Sequence, residues 1–530
     1  MNKYLLSGLL LLVFSQIQAQ DAATKYAETI TPADLKRHLV IIASDSLEGR
    51  DTGSEGQEKA ADYVSKHFKM YGLAPIATDS AGAKSYYQPY DLYRKTWGDV
   101  FVKADGRKFA FNEDFYLNGL LNTDGEVSFP AVFAGYGIEA NLYNDYKDLD
   151  VTGKAVVILE GEPKDRSGKY YVNDSDQMSS WSGPQSWQKK AAAAMTKGAK
   201  YVFMVSEKEG KEFEQLVKQR AIMARRMSGM SMKPIQESLS NMAVFTVSKE
   251  VGAALLRTSP KKLSGFQQDI DKKGKPVAKG PIGTVSLKAE RKSETIGTEN
   301  VAGFLEGTDK KDEVVVISAH LDHIGISPDG QINNGADDDG SGTVSLLEMA
   351  EAFSQAKADG NGPRRSILFL NVTGEEKGLF GSEFYVENPL LPLANTVANL
   401  NIDMIGRVDK EHENNPKYVY LIGSDKLSSE LHAISEAANQ AHVGYKLDYT
   451  FNDPKDPNRF YYRSDHYNFA KKGVPVIFYF TGVHEDYHRP GDDVEKIMFD
   501  KQAPIVKLVF YTAWELANRE ERIKVDSNKE

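Results

Sequence analysis

The sequence predicts an α/β fold: a mixed, mostly parallel sheet with helices on both faces, joined to a second, smaller α/β module. Three observations predict it. From Asn300 onward, apolar runs that read as buried strands alternate with helical stretches, which is the pattern of a sheet covered on both sides. Between about Asn118 and about Gly283 the texture changes to short β-rich runs around one alanine-rich helix. At 530 residues the chain is long for one domain, so two or three compact units are expected.

The first residues, MNKYLLSGLLLLVFSQIQAQ, set Lys3 before an apolar stretch from Tyr4 to Phe14 and then small or polar residues up to Ala19. That order predicts a secretory signal peptide over 1–19. Its apolar core is short for a membrane helix, and no later segment approaches the roughly eighteen uninterrupted apolar residues a span needs. The mature protein is expected to be exported, periplasmic or secreted, with no membrane span. Cysteine is absent, which excludes disulfides, thiolate nucleophiles and sulfur-ligated zinc. The net charge of -10 gives no footprint for nucleic acid. Oligomeric state is left open.

Thr31, Pro32 and Asp34 stand as N-cap, first helical residue and first-turn acid, so a helix starts there. In LEGRDTGSEGQEKAADYVSKHFKMYGL, Ser54 and Gln57 resemble a capping box, Ala60, Ala61, Val64 and Phe68 form a stripe, and Gly72 ends the helix. The central module shows strands in AVFAGYGI and GKAVVILEGEP, a helix in SWQKKAAAAMTKGA and a strand in KYVFMVS. Its Met-rich stretch from Lys211 to Pro234 reads as a surface helix and loop, with a substrate-facing lid as the sharper alternative. Beyond Asn300 come EVVVISAH, the helix GSGTVSLLEMAEAFSQ, SILFLNVTGEE, TVANLNIDMIG, a helix around LSSELHAISEAANQA, and VPVIFYF.

Ligands in such sheets sit beyond the carboxyl ends of the strands. There VVVIS delivers His320 and Asp322, ILFLNV delivers Glu375 and Glu376, VANLNI delivers Asp403, and VIFYF leads to a loop holding His488. Asp337 precedes the helix of GSGTVSLLEMAEAFSQ. Singly, each is more often a cap, a core histidine or a solvated acid. Gathered at one buried edge, they would be costly unless paired or bound to a cation. Histidines with carboxylates suit zinc, cobalt or manganese better than calcium. One catalytic zinc needs fewer ligands, so two ions sharing a carboxylate fit better, about 3.5–4 Å apart and activating a common water.

His484, Glu485 and His488 also spell H-E-x-x-H. That motif needs a helix, and Pro490 and Gly491 follow too closely for one. Glu485 is therefore not expected to be a base; His484 is expected in a structural or rim role.

The stretches LEGRDTGSEG, SAHLDHIG, GADDDGSG, TGEEKGLFGSEFY, NIDMIG, RSDHYNF and YHRPGDD, in this order from about Leu47 onward, resemble the M28 family of secreted zinc aminopeptidases. GYGI, GKAVVILEGEP and KKAAAAMTKGAKYVFMVS resemble an inserted protease-associated domain. The resemblance implies a peptidase domain over 20–117 and 284–525, an insert over 118–283 and a flexible tail at 526–530. It implies two zinc ions, with Asp337 bridging, His320 and Asp403 on one ion and Glu376 and His488 on the other. Glu375 becomes the general base, Asp322 accepts a hydrogen bond from the His320 imidazole, and Tyr487 stabilises the oxyanion. Arg489 replaces the threonine usual after the ligand histidine, and the insert is expected to restrict entry to short peptides or chain ends. The implied substrates are peptides with a free N-terminus.

A carboxypeptidase or dipeptidase could use the same centre, with Arg463 binding a terminal carboxylate and Phe460, Tyr461 and Tyr462 lining a pocket. A glutaminyl cyclase with one zinc and a receptor-like scaffold without activity are further alternatives. A serine hydrolase lacks its G-x-S-x-G elbow, since Ser341 in DGSGT has the wrong glycine spacing.

Overall fold

The computed structural model describes residues 22–79, 81–226, 229–234 and 243–528. The signal-peptide expectation lies outside them. Among the described residues no helix is long and apolar enough to cross a membrane. The chain divides into two compact units, with boundaries between Leu92 and Tyr93 and between Glu294 and Thr295.

In the first unit, after a short helical segment at 22–27, comes helix α1, Pro32–Ile42, whose N-cap Thr31 accepts from the amide of Asp34. Helix α2, Glu55–Met70, follows and is capped in the same way by Ser54. The chain then enters the second unit. There the strands are β1 (Phe115–Gly119), β2 (Val127–Ala134), β3 (Ala155–Leu159), β4 (Tyr201–Val205) and β5 (Ala243–Val247). Its helices include α3 (Ser186–Thr196), α4 (Gly210–Arg226) and α5 (Pro260–Lys273). Strands β2, β3, β4 and β5 are parallel neighbours, and β1 pairs antiparallel with β5. The long strand β6, Ala278–Leu305, pairs antiparallel with β2 through its first part.

The unit is wider than the predicted insert at 118–283. Val102, Ala104, Phe109 and Phe115 belong to its apolar core together with Phe203 and Phe245, so the sequence from Tyr93 onward folds with it. No composition shift marks that boundary because the strand Tyr87–Ala104 crosses it without a break. The Met-rich stretch is helical over its first part, as α4; residues 227–228 and 235–242 are not described.

Back in the first unit, the elements are β7 (Lys310–His320), α6 (Gly342–Ala358), β8 (Arg365–Val372), β9 (Thr396–Ile402), β10 (Tyr418–Ile422), α7 (Ser429–Ala438), β11 (Lys446–Asp448), β12 (Val476–Phe480) and α8 (Phe499–Asn518). The strand order is β11-β10-β12-β9-β7-β8-β6. Strands β8, β7, β9 and β12 are parallel, whereas β10 and the end of β6 pair antiparallel. Side chains alternate between the faces. Val315, Ile317, Leu400 and Ile477 pack with α1, α2, α6 and α8, whereas Val314, Val316, Leu368 and Phe478 pack on the other side with Tyr385 of the short helix Phe380–Glu387 and Phe469 of the short helix His466–Ala470. The mixed sheet with helices on both faces is thus present. Within the predicted flexible tail at 526–530, Asp526 is held: its carboxylate accepts from the amide and hydroxyl of Ser429 at 2.8 and 2.7 Å.

Between α1 and α6, the buried His38 Nε2 lies 3.4 Å from Glu348 Oε1, and His38 Nδ1 is 2.8 Å from the Tyr63 hydroxyl. Burial pushes Glu348 up to about 8, and Asp34 and Glu351 add repulsion. Glu348 therefore keeps its proton in the fold at pH values where the unfolded chain, with an ordinary 4.5, has lost it. Its contribution to stability is full below 4.5 and is lost as pH rises to about 8. Glu348→Gln, neutral at every pH, is expected to unfold a few degrees higher than the parent at pH 8, at about 2–4 °C per kcal/mol, and close to it at pH 5. Thermal unfolding followed by circular dichroism at both values checks this. An equal difference at the two pH values would refute it.

Candidate metal centre

Each expected ligand leaves a strand or a loop at one edge of the sheet. His320 is the last residue of β7; Glu375 and Glu376 follow β8, and Asp403 follows β9. The register aligns these ends, since His320 pairs with Val372 and Ser318 with Asn401. His488 lies in turns after β12, with φ at 56°. No helix carries His484, Glu485 and His488, and Glu485 is exposed and pairs with Arg407 at 3.1 Å, so H-E-x-x-H is no zinc helix here.

The structure gathers two groups of potential ligands: His320, Asp338 and Asp403, and His323, Asp338 and Glu376. Their common member is Asp338. Its Oδ1 is 3.3 Å from His320 Nε2, and its Oδ2 is 3.2 Å from His488 Nε2 and 3.7 Å from His323 Nδ1. Asp403 Oδ1 is 3.5 Å from His320 Nε2, and its Oδ2 accepts from Ser464 at 2.7 Å. Glu376 lies between two imidazoles, 2.8 Å from His323 Nδ1 and 3.0 Å from His488 Nε2.

Asp337, the expected bridge, is turned away. Its Oδ1 accepts from the amide of Gly406 at 2.6 Å, and its Oδ2 lies 3.3 Å from His484 Nε2. Three consecutive aspartates made the sequence ambiguous by one residue, and the backbone decides. The Asp492 carboxylate accepts from the amides of Asp337 and Asp338 at 3.1 Å, while Asp339 accepts from the amides of His320, Gly342 and Met404. Asp337 and Asp339 are thus engaged with backbone, and Asp338 faces the histidines.

His323 was not foreseen. It stands three residues after His320, in a stretch already marked by H-x-D, and a second imidazole so close was the available signal. Asp322 also departs from expectation. His320 Nδ1 meets the backbone carbonyl of Asp322 at 2.9 Å, whereas the carboxylate is 3.9 Å away. That carboxylate instead accepts from Thr52 at 2.7 Å and from the amide of Glu375 at 3.2 Å. It therefore positions the Glu375 backbone.

Glu375, Asp338, Asp403, Phe460, Arg463 and Tyr487 line one small cleft. Burial, with the charges of Asp403 and Glu376, pushes the Glu375 carboxyl well above its usual range despite His320 nearby. Burial and then Asp338, Glu376 and Glu375 push the Tyr487 hydroxyl up, so it remains a donor at neutral pH. Its ring stacks on His488 at 3.9 Å. For His488, burial opposes charge, but contacts with Asp338 and Glu376 prevail and hold it at about 10. Arg463 is exposed, with its guanidinium 4.9 Å over the Phe460 ring. Tyr461 belongs to the core instead.

The residues fit a pair of divalent cations. Among the described residues, both nitrogens of His323, Asp338 Oδ2 and Glu376 Oε1 are buried without a well-aligned hydrogen bond, close as His323 and Glu376 lie. Such atoms are costly to bury unless something pairs with them. Imidazole and carboxylate together suit zinc or a similar ion.

A largely parallel α/β sheet with imidazoles and a shared carboxylate at its strand ends defines the class, an α/β protein with a candidate metal centre. Residues 300–513 match the model of Peptidase family M28. Leucine aminopeptidase 2 of Arthroderma otae is 27% identical over 288 residues, 47% of this chain and 54% of the relative. A probable leucine aminopeptidase of Arthroderma benhamiae is 31% identical over 221 residues, 39% of this chain and 55% of the relative. The chain thus spans about half the length of the curated relatives it matches. Among solved structures, an aminopeptidase from Aneurinibacillus sp. strain AM-1 aligns over 96% of this chain and 100% of its own, with a TM-score of 0.48 and 18% identity. The zinc aminopeptidase BSAP from Bacillus subtilis aligns over 94% and 98%, with a TM-score of 0.46 and 19% identity.

The two aspartates make a sharp comparison. Asp338→Asn is expected to lose most of its bound metal by elemental analysis, whereas Asp337→Asn should keep at least about half, since only a ligand carboxylate competes for the ion. The reverse order would return the bridge to Asp337.

Proposed function

We propose that the M28 domain is a two-metal aminopeptidase in which Asp338 is the shared ligand. The observation that carries this reading is that one carboxylate belongs to both ligand groups. In it, His320 and Asp403 complete one site, and Glu376 with His488 and His323 surrounds the other. When bound, zinc ions polarise the scissile carbonyl and make water acidic enough to attack near neutral pH; cobalt or manganese could serve similarly.

The chain's own groups do the rest. Glu375 takes the proton from the attacking water and passes it to the leaving amine. Its carboxyl opens into the same cleft as Asp338 and Asp403, and Asp322 fixes its backbone. Tyr487 donates its hydroxyl hydrogen to the developing oxyanion. Asp492 and Asp339 hold the loop of Asp338. Preference for a free amino terminus is supported by the curated relatives, which are named leucine aminopeptidases. Export through the segment 1–19 belongs to the same proposal.

Arg463 favours a second reading, a carboxypeptidase or dipeptidase. Its exposed guanidinium stands at the cleft, 4.9 Å over the Phe460 ring, and a terminal carboxylate would suit it.

Aminoacyl nitroanilides with free and acetylated amines, beside peptides blocked only at the amine, separate the readings. Cleavage confined to free-amine substrates, lost with a chelator and restored by zinc, is the expected result. Cleavage confined to free-carboxylate substrates would replace it with the second reading. Glu375→Gln is expected to keep its metal and lose about 10²–10⁴-fold in kcat, the usual scale for removing a positioned base. Full activity in that variant would remove Glu375 from the mechanism.

A further inference from the structure

The second unit contains a cavity of about 490 Å³. Its floor lies at the carboxyl ends of the parallel strands β2, β3 and β4, where Tyr136, Glu160, Glu162 and Glu207 follow Ala134, Leu159 and Val205. Ligands of open α/β sheets bind at that end. Asp271 of α5 and Trp187 of α3 close the sides.

The lining has a definite charge and shape. Four carboxylates, Glu160, Glu162, Glu207 and Asp271, meet two cationic side chains, Lys164 and Arg220. Glu160 accepts from Ser206 and the amide of Glu207 at 2.9 and 3.0 Å, Glu162 accepts from Ser179 at 2.6 and 2.7 Å, and Asp271 accepts from Tyr136 at 3.0 Å. These partners are neutral. The nearby ammonium of Lys190 is buried and donates to the carbonyls of Leu159 and Gly161 at 3.0 and 2.6 Å. Glu207 sits so close to the β3 loop that a Cβ on Gly161 would lie 2.3 Å from its Oε1. Burial and the neighbouring Glu160 push the Glu207 carboxyl up, and burial does the same to Asp271. A cation entering the cavity would relieve both. Tyr116 and Tyr136 already lie under cations of the protein, Arg220 at 5.7 Å and Lys190 at 5.8 Å, and Tyr170 and Trp187 add two more rings to the lining, of the kind that attracts ammonium and guanidinium groups.

We propose that this cavity binds a cationic group of a peptide, namely a lysine or arginine side chain or an amino-terminal ammonium. The site lies wholly within the second unit and does not depend on the catalytic reading of the M28 domain. Glu207 and Asp271 pair with the cation, and the aromatic rings hold its aliphatic stem.

The test uses the full chain, stripped of metal so that no peptide is cleaved, and isothermal titration with acetyl-trilysine amide. Acetyl-trialanine amide and acetyl-triglutamate amide are the comparisons, and unblocked trialanine asks whether a terminal ammonium suffices. Trilysine should bind saturably at one site and at least about tenfold more tightly than either comparison, the scale of one charge-assisted contact. Glu207→Gln with Asp271→Asn should weaken it about tenfold and leave nitroanilide hydrolysis by the metal-loaded enzyme unchanged. Glu411→Gln with Glu413→Gln removes the same charge from an exposed segment of the first unit and should leave binding intact. Trp187→Phe should remove the fluorescence change on binding.

Equal binding of trilysine and trialanine would overturn the proposal, as would equal losses in the two double variants, which would indicate general attraction to an acidic protein. The peptide comparison on the unaltered chain decides the matter even if a cavity variant fails to fold.

Discussion

The centre depends on holding one carboxylate, Asp338, between imidazoles that arrive from different loops. Arg50 makes that possible. It is buried, and its guanidinium donates to the carbonyls of Ile42, Leu321, Asn334 and Gly335 at 2.6, 2.8, 2.7 and 3.0 Å. These carbonyls belong to the end of α1, the loop after β7 and the turn before Asp338. An arginine bonded only to neutral carbonyls there leaves its charge to act on Asp338, Asp339, Asp492 and Asp322, which surround it. One side chain thus ties three segments together and offsets part of their negative charge. Asp492 completes the grip from the opposite segment by accepting the amides of Asp337 and Asp338.

The parallel sheet supplies the rest of the alignment. Strands β7, β8 and β9 run together in register, so the residues just past each end emerge side by side. Close backbone approach is needed where these loops meet. Gly49, with φ at 68°, allows the segment before Arg50 to pass Asn333, whose carbonyl would stand 2.3 Å from any Cβ. Gly335, with φ at 57°, allows the His323 ring to lie against the turn, since a Cβ there would meet ring carbons at 2.6 Å. Gly49 of LEGRDTGSEG and Gly335 of NNGADDDG are therefore tied to the placement of Arg50 and His323.

Strand ends were legible in the sequence because a buried parallel strand is a short apolar run with a sharp limit. That sufficed to place His320, Glu375, Glu376 and Asp403 at one edge. Choosing among Asp337, Asp338 and Asp339 was not possible from the run of three, because spacing says nothing about which carboxylate meets backbone amides. The role given to Asp322 failed for a related reason. The family resemblance implied a side-chain contact with His320, but the loop brings the backbone carbonyl to the imidazole and sends the carboxylate to Thr52 and Glu375. The start of the second unit was hidden because a continuous strand crosses it.

His323 and His466 show why a histidine ligand is hard to tell from a core histidine by sequence. Both are buried, and both ring nitrogens of each lack a hydrogen bond among the described residues. Their surroundings differ. His466 stacks on Phe478 at 4.8 Å and meets the edge of Tyr461, and burial lowers it to about 3, so it is a neutral ring in an aromatic wall. His323 faces Glu376 at 2.8 Å and Asp338 at 3.7 Å. A buried imidazole between two carboxylates, one shared with a second imidazole group, has neighbours that a cation would suit, which an aromatic wall does not offer. The difference lies in the polarity of neighbours brought together from distant segments, which single-residue spacing does not record.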